Sequence, residues 1–519
     1  MQYSSCPSCG FLIDRAGTIC RFCGADAATP PPAPVLHPAG DGGRAPDDPP
    51  PRTATPRLGG KRTRAVTGIA GAALLAAGAA AAYFAFADRG PDHPSKWDPR
   101  VAPLAEFVTH ERGLEFDHPV YVDFLTEAAF EEKVTSDEAA LDDEGREGLR
   151  QATAMIRALG LAGPDVDLFK ASNDLAGSSI LAYYDDEQER ITVRGTALTA
   201  GLRATLVHEL THALQDQHYD IGELLDRDSV SETGIYRALI EGDAERIETA
   251  FTDLPSDEGP ADAAEPAEEE LPVPTDIPPF LTAMFSAPYS LGEPLVRLIV
   301  AEEGMAGLDG ALRMASLTDE HLFDPWSLLD GAPPALDVAP PPLRDGEREL
   351  DRGVMGSVAW YLILESRIDP VVALDAVDGW GGDAYVVFER GEQMCVRIAY
   401  EGDQPADVEQ MGGALMQWVT AMPSGAASLA RDGGLLTLES CDPGGGATAP
   451  VEPDESLLLL PVLRAVSSAE IAEDNGDATP VFTRCYVNRI VRETSRGELI
   501  GAPGPDFEQR LAAMATSCL

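Results

Sequence analysis

One uninterrupted apolar run decides how the rest of this chain can be arranged. From Ala65 to Ala87 the sequence reads AVTGIAGAALLAAGAAAAYFAFA, 23 residues without a charge. A helix rises about 1.5 Å per residue and roughly 20 residues cross a bilayer core, so the run predicts one transmembrane helix. Lys61, Arg62 and Arg64 crowd its start, and Asp88 and Arg89 its end. It begins too far from the N-terminus for a cleaved secretion signal. The basic flank predicts a cytosolic N-terminus and an extracytoplasmic C-terminal part. The expected organisation is a small unit at 1–24, a Pro-rich linker at 25–64, the span at 65–87, a large domain at 88–400 and an extension at 401–519.

Charge and cysteine usage agree with this division. The whole chain of 519 residues carries a formal charge of −49. Residues 1–64 carry a net +3 and the remainder a net −52. So acidic a chain is a poor partner for nucleic acid. Cys6, Cys9, Cys20 and Cys23 form a C-x2-C-x10-C-x2-C array, each pair followed by Gly. Four thiolates at this spacing suit a tetrahedral structural zinc, which a segment too short for a core of its own needs in order to fold. Residues 6–24 resemble the zinc-ribbon family, and such a ribbon has room for a cytosolic partner. The other cysteines, Cys395, Cys441, Cys485 and Cys518, fall in the exported part, where an oxidising setting permits two disulfides of unspecified pairing.

The segment from Lys133 to Gly160 has a T-x-x-E box at Thr135–Glu138 and helical apolar spacing. The β-rich runs ILAYY (180–184) and RITVR (190–194), separated by DDEQE, predict a hairpin. Helices are expected over Gly201–His218 and Ile235–Phe251, the second preceded by the cap-forming DSVSET. The acidic, Pro-rich stretch 255–279 reads as a solvated insertion. Trp380, Gly381, Gly382 and Asp383 read as a structural turn before the strand Ala384–Phe388.

The chemistry is concentrated in HELTH, His208 to His212. Histidines at i and i+4 share one helical face and can present two imidazole nitrogens to one metal, with Glu209 beside them as general base. A catalytic zinc takes a third protein ligand. His218 stands ten residues after His208. The Gly that would turn the chain between them is Gln215, however, and on a continuing helix His218 lies about 600° beyond His212. Glu241, in ALIEGDAERIE on the next helix, is the competing ligand.

The segments RITVRG, TLVHELTHALQDQHYD and ALIEGDAERIE, with APYSLGEPLV and DGWGGDAYVVF further on, resemble a group of bacterial zinc-peptidase-like proteins of the gluzincin set over about residues 115–400. The resemblance implies an α+β zincin-like domain, Glu241 as the third ligand, and a following acid, Glu245 or less regularly Asp243, supporting a ligand histidine. It also implies that Ile191–Arg194 is the edge strand on the cleft rim. Stabilisation of a tetrahedral oxyanion calls for a Tyr or His donor, and Tyr289 and His321 are the two candidates.

The expected activity is peptide-bond hydrolysis by a single-pass, membrane-anchored metallopeptidase of the bacterial envelope. Its cofactors are one catalytic and one structural zinc, and its substrate is a polypeptide. The alternative is a catalytically silent envelope module that binds or senses through a zincin-fold groove.

Overall fold

The computed structural model describes residues 3–5, 12–14 and 92–519, apart from 137, 139–140, 228, 255–276, 332–333, 451–455, 475–477, 501–503 and 505. Near the N-terminus Tyr3–Ser5 pairs with Leu12–Asp14 in an antiparallel ladder. Cys6, Cys9, Cys20 and Cys23, the linker 25–64, the run 65–87 and most of the acidic segment lie outside the described residues. The expected fold class needs one correction. Among the described residues no helix is long and apolar enough to cross a membrane, so the architecture that can be described is α+β without a spanning helix.

The first half is built around a small sheet. Helix α1 (Ala102–Arg112) precedes strand β1 (Tyr121–Leu125), and the expected hairpin forms as β2 (Ala182–Asp185) and β3 (Arg190–Arg194). β3 pairs in parallel with β1 and antiparallel with β2, which makes β3 the central strand and β2 an edge. The expectation that Ile191–Arg194 lines the rim is therefore corrected: the exposed edge belongs to its hairpin partner. Between β1 and β2, the single helix expected over Lys133–Gly160 is two. Thr135 ends the helix Glu127–Val134, and a second helix, Asp143–Ala158, starts where the Asp142 carboxylate accepts the Gly145 N–H.

Three long helices follow. Thr199 caps α2 (Ala200–Tyr219) by accepting the Leu202 N–H, and Ser229 caps α3 (Val230–Thr252) by accepting the Glu232 N–H. Such caps satisfy backbone donors that a helix start leaves unpaired. α4 (Pro279–Leu312) contains Pro288 and Pro294 and is broken at Gly304, whose φ is 69°. α3 and α4 touch at Gly242 and Gly292. A Cβ on Gly242 would overlap the Gly292 carbonyl, and one on Gly292 would overlap the Ala238 carbonyl. Only glycine permits this backbone approach.

The second half carries a five-stranded antiparallel sheet, ordered β4-β5-β6-β8-β7, from β4 (Glu347–Gly353), β5 (Trp380–Arg390), β6 (Gln393–Gly402), β7 (Ala427–Asp432) and β8 (Leu435–Cys441). The boundary expected at 400/401 falls inside β6, and the sheet runs on to Cys441. The Trp380–Asp383 cluster is the start of β5, with a bulge between Trp380 and Gly382, and is not a turn. Its role is structural: buried Asp383 accepts from both the Trp360 and Trp380 indoles and from the Met355 and Gly356 N–H groups. Cys395 and Cys441, directly opposite on β6 and β8, form one disulfide. Cys485 and Cys518 form the other.

Two of the apolar clusters among the described residues are large. One joins α3 and α4 to the five-stranded sheet, and the other lies among the three-stranded sheet, α1, α2 and the end of α3. Helices α2, α3 and α4 meet where the two cores adjoin, which is where the HELTH residues lie.

Candidate metal centre

α2 is buried on nearly all sides through its middle, from Leu206 to Gln215. Polar groups placed there have to find partners within the protein. His208 and His212, one turn apart, point their Nε2 atoms at the same carboxylate oxygen. Glu241 Oε2, from α3, lies 3.2 Å from His208 Nε2 and 3.1 Å from His212 Nε2. The three ligand atoms lie within 4.8 Å of one another. The chain therefore brings together the three side chains singled out in the sequence from two helices, and Tyr289 joins them from α4. Its ring lies 6.1 Å from that of His208. The glycine crossing makes this possible, because Tyr289 sits about one turn before Gly292 and Glu241 directly before Gly242.

Each imidazole is also held from behind. His208 Nδ1 lies 3.0 Å from Glu248 Oε2 and 4.0 Å from Glu245 Oε1. The supporting acid is thus Glu248, two turns beyond Glu241, and not the expected Glu245. His212 Nδ1 lies 3.0 Å from Gln215 Oε1. The amide of Gln215 donates to the Ile240 carbonyl and to Asp243 Oδ2. Asp243 in turn receives Arg112 Nε at 2.6 Å, and Arg112 also meets Asp309 at 2.7 Å. Asp243 reaches the centre through Gln215, not by direct contact with an imidazole.

No family model, curated protein or solved structure matches this chain. The chemistry of the donor set is therefore the ground on which a metal is judged, and it fits. With an acceptor on each side, both imidazoles lie between negative or polar oxygens, an arrangement that calls for a cation: two bound protons or one metal ion. Burial alone would lower the His212 pKa, but the Glu241 carboxylate outweighs it and raises it. Glu241 stays ionised for the matching reason, with the opposing effect of burial overcome by His212 and His208.

Glu209 follows His208 and is buried in the same seam. Burial pushes its carboxyl upward against the pull of His212 and His208. A carboxyl poised in this way is suited to taking and returning protons.

The other candidates lie elsewhere. His218, at the end of α2, directs Nε2 at the Glu115 carbonyl at 2.8 Å, as a continuous helix requires. His321 sits in the 3-10 turn Asp319–Leu322, with Nδ1 2.7 Å from Ser327 Oγ. That turn packs against the start of α3 through Asp319 and Ser231, ten residues or about 15 Å along the helix before Glu241. Burial lowers the His321 pKa to about 4, with Asp324 opposing weakly. Of the two oxyanion candidates, the fold brings Tyr289 to the cluster and not His321. Sequence reasoning missed Glu248, Gln215 and Arg112. The first had a signal, its position on the same face of α3 as Glu241.

Proposed function

We propose that residues 92–519 form a zinc metallopeptidase acting in an oxidising compartment. The observation that carries this reading is the convergence of His208 Nε2, His212 Nε2 and Glu241 Oε2, at 3.1–3.2 Å, with Glu209 buried alongside. These three side chains would hold one zinc ion in a three-ligand set that leaves a position open. When bound there, zinc polarises a carbonyl and lowers the pKa of water. Glu209 takes the proton of the attacking water and delivers it to the departing amine. Tyr289 supplies the O–H donor to the developing oxyanion.

The substrate is a polypeptide lying extended along β2. As an edge strand, β2 offers backbone groups for an added strand, and its Tyr184 hydroxyl donates to Asp216 on α2, which ties the strand to the helix that carries the general base. The two disulfides support an oxidising location. The strong negative charge favours encounter with basic polypeptides, a rate effect and not a selection of sequence.

The test compares the full-length chain with Glu209→Gln, assaying zinc content together with cleavage of an unstructured polypeptide such as casein. Zinc in both and cleavage by the wild type alone is the expected result, with a loss of about 10²–10⁴-fold. Equal cleavage by both would remove the peptidase assignment. Zinc in both without cleavage by either would favour a silent binding module.

A further inference from the structure

A second set of two histidines and a carboxylate converges outside the buried centre. His93, His118 and Glu189 place their ligand atoms within 4.8 Å of one another. They come from three separate stretches: His93 from the segment before α1, His118 from the approach to β1, and Glu189 from the turn of the β2–β3 hairpin. The two imidazole rings are stacked, with centroids 3.6 Å apart and planes 24° from parallel. His93 Nδ1 lies 3.5 Å and His118 Nε2 3.2 Å from Glu189 Oε2.

Two features point to an ion at this spot. His93 Nδ1 and Glu189 Oε2 are buried atoms that make no well-aligned hydrogen bond, although they meet at 3.5 Å and Glu189 Oε2 also lies 3.2 Å from His118 Nε2; such imperfect pairing of buried polar atoms costs free energy. Ring stacking accounts for the faces of the imidazoles but not for these two atoms. Ligands on one tetrahedral zinc, with bonds of about 2.0–2.2 Å, lie roughly 3.4 Å apart, and the separations of 3.2 and 3.5 Å match that edge. Glu189 adopts a φ of 45°, one of two non-glycine residues among those described with positive φ. That left-handed conformation is the one a hairpin turn of this length calls for, and glycine is the residue that suits it best.

The surroundings are consistent with cation capture. His118 Nδ1 lies 3.4 Å from the Pro119 carbonyl, so donation there leaves the Nε2 lone pair for a metal. The Gln217 amide, also 3.4 Å from Nδ1, is engaged with the His118 carbonyl at 3.0 Å. A groove shared with Asp117, Asp186, Glu187 and Asp220 opens beside the cluster, and its acidity raises the local cation concentration.

We propose that His93, His118 and Glu189 form a second zinc site that clamps the hairpin turn to the segment preceding α1. Two imidazoles favour zinc over calcium or magnesium, which prefer all-oxygen shells. Because β2 leads directly into this turn, the clamp steadies the strand whose Tyr184 hydroxyl donates to Asp216 on α2. The site stands apart from the peptidase reading, since none of its ligands belongs to the buried centre.

The experiment titrates metal-stripped full-length chain with zinc and counts bound zinc per chain. The double variant His93→Ala/His118→Ala should bind one zinc fewer than wild type, while His208→Ala/His212→Ala should lose a different equivalent and keep this one. Glu189→Gly removes the ligand yet suits the positive φ, so its metal-free Tm should equal or exceed that of wild type while its zinc-induced rise in Tm is smaller. Calcium should reproduce no part of that rise. An unchanged zinc count in the histidine variant, or a full zinc-induced rise in Glu189→Gly, would overturn the site. If the histidine variant fails to fold, Glu189→Gly decides alone. Failure of His208→Ala/His212→Ala to lose zinc would instead count against the buried centre.

Discussion

Two clusters in this chain, His208/His212/Glu241 and His93/His118/Glu189, have the same composition and nearly the same spacing, but they differ in what stands behind the ligands. In the inner cluster the side chains are 8–11% exposed, and each imidazole is braced from the far side, one by Glu248 and one by a chain running through Gln215 and Asp243 to Arg112. In the outer cluster the side chains are 20–30% exposed, and the brace behind His118 is a backbone carbonyl. A carboxylate behind an imidazole fixes its tautomer and raises its basicity, which strengthens metal binding. The difference teaches that similar ligand spacing at two places need not give similar affinity. On the proposed function the inner cluster holds an ion under catalytic load, and on the further proposal the outer one closes a loop.

His321 is the useful third case, a histidine buried without a bracing carboxylate. Its pKa falls to about 4, whereas that of buried His208 rises well above the usual range because Glu241 and Glu248 outweigh burial. Burial by itself therefore does not make a histidine a ligand; the carboxylates around it do.

The comparison can be broken at four points. The largest expected effect is at Glu241. Glu241→Ala should empty the inner cluster of zinc and abolish hydrolysis while His218→Ala retains both, as measured by elemental analysis and casein cleavage. Loss of zinc from His218→Ala instead would move the third ligand. Next, Tyr289→Phe should lower kcat by about 10²–10³-fold with zinc content unchanged, the usual cost of removing one oxyanion donor. An unchanged kcat would leave the tyrosine a packing role.

The third point separates His321 from both clusters. Its folded pKa of about 4 lies below its ordinary value of 6.5. Its neutral form is favoured by folding, so this contribution to stability is complete above pH 6.5 and is lost as pH falls through 4. The loss is on the order of 3 kcal/mol. His321→Gln should flatten that part of the stability profile in denaturant titrations, and an unaltered slope would show that His321 does not titrate as a buried base. The smallest effect concerns the brace. Glu248→Gln should weaken zinc binding at the inner cluster by about 10–100-fold, and Glu245→Gln by less. Equal effects would mean that the two acids share the role.

How much of this was legible in the sequence follows from the distances along the chain. HELTH and EGDA could be read because each lies within one or two helical turns, where spacing fixes the face. Gln215 was visible as the residue standing where a turn-making Gly would be, but its grip on His212 depends on α3 and could not be read locally. Glu245 and Glu248 both fall on the Glu241 face, so periodicity left the supporting acid open. The hairpin was legible and its place in the sheet was not, because β1, whose pairing makes β3 central, joins from more than sixty residues away. The disulfide pairing waited on the register of β6 and β8. The outer cluster had no signal at all: residues 93, 118 and 189 share no spacing, and only the fold brings them together.

The most direct test of the central claim is anomalous diffraction at the zinc absorption edge from crystals of the zinc-loaded full-length protein. A peak about 2.0–2.2 Å from His208 Nε2, His212 Nε2 and a Glu241 carboxylate oxygen is the expected result. Zinc-loaded crystals with no peak among those three atoms, or with the ion held by His218 in place of Glu241, would contradict the account.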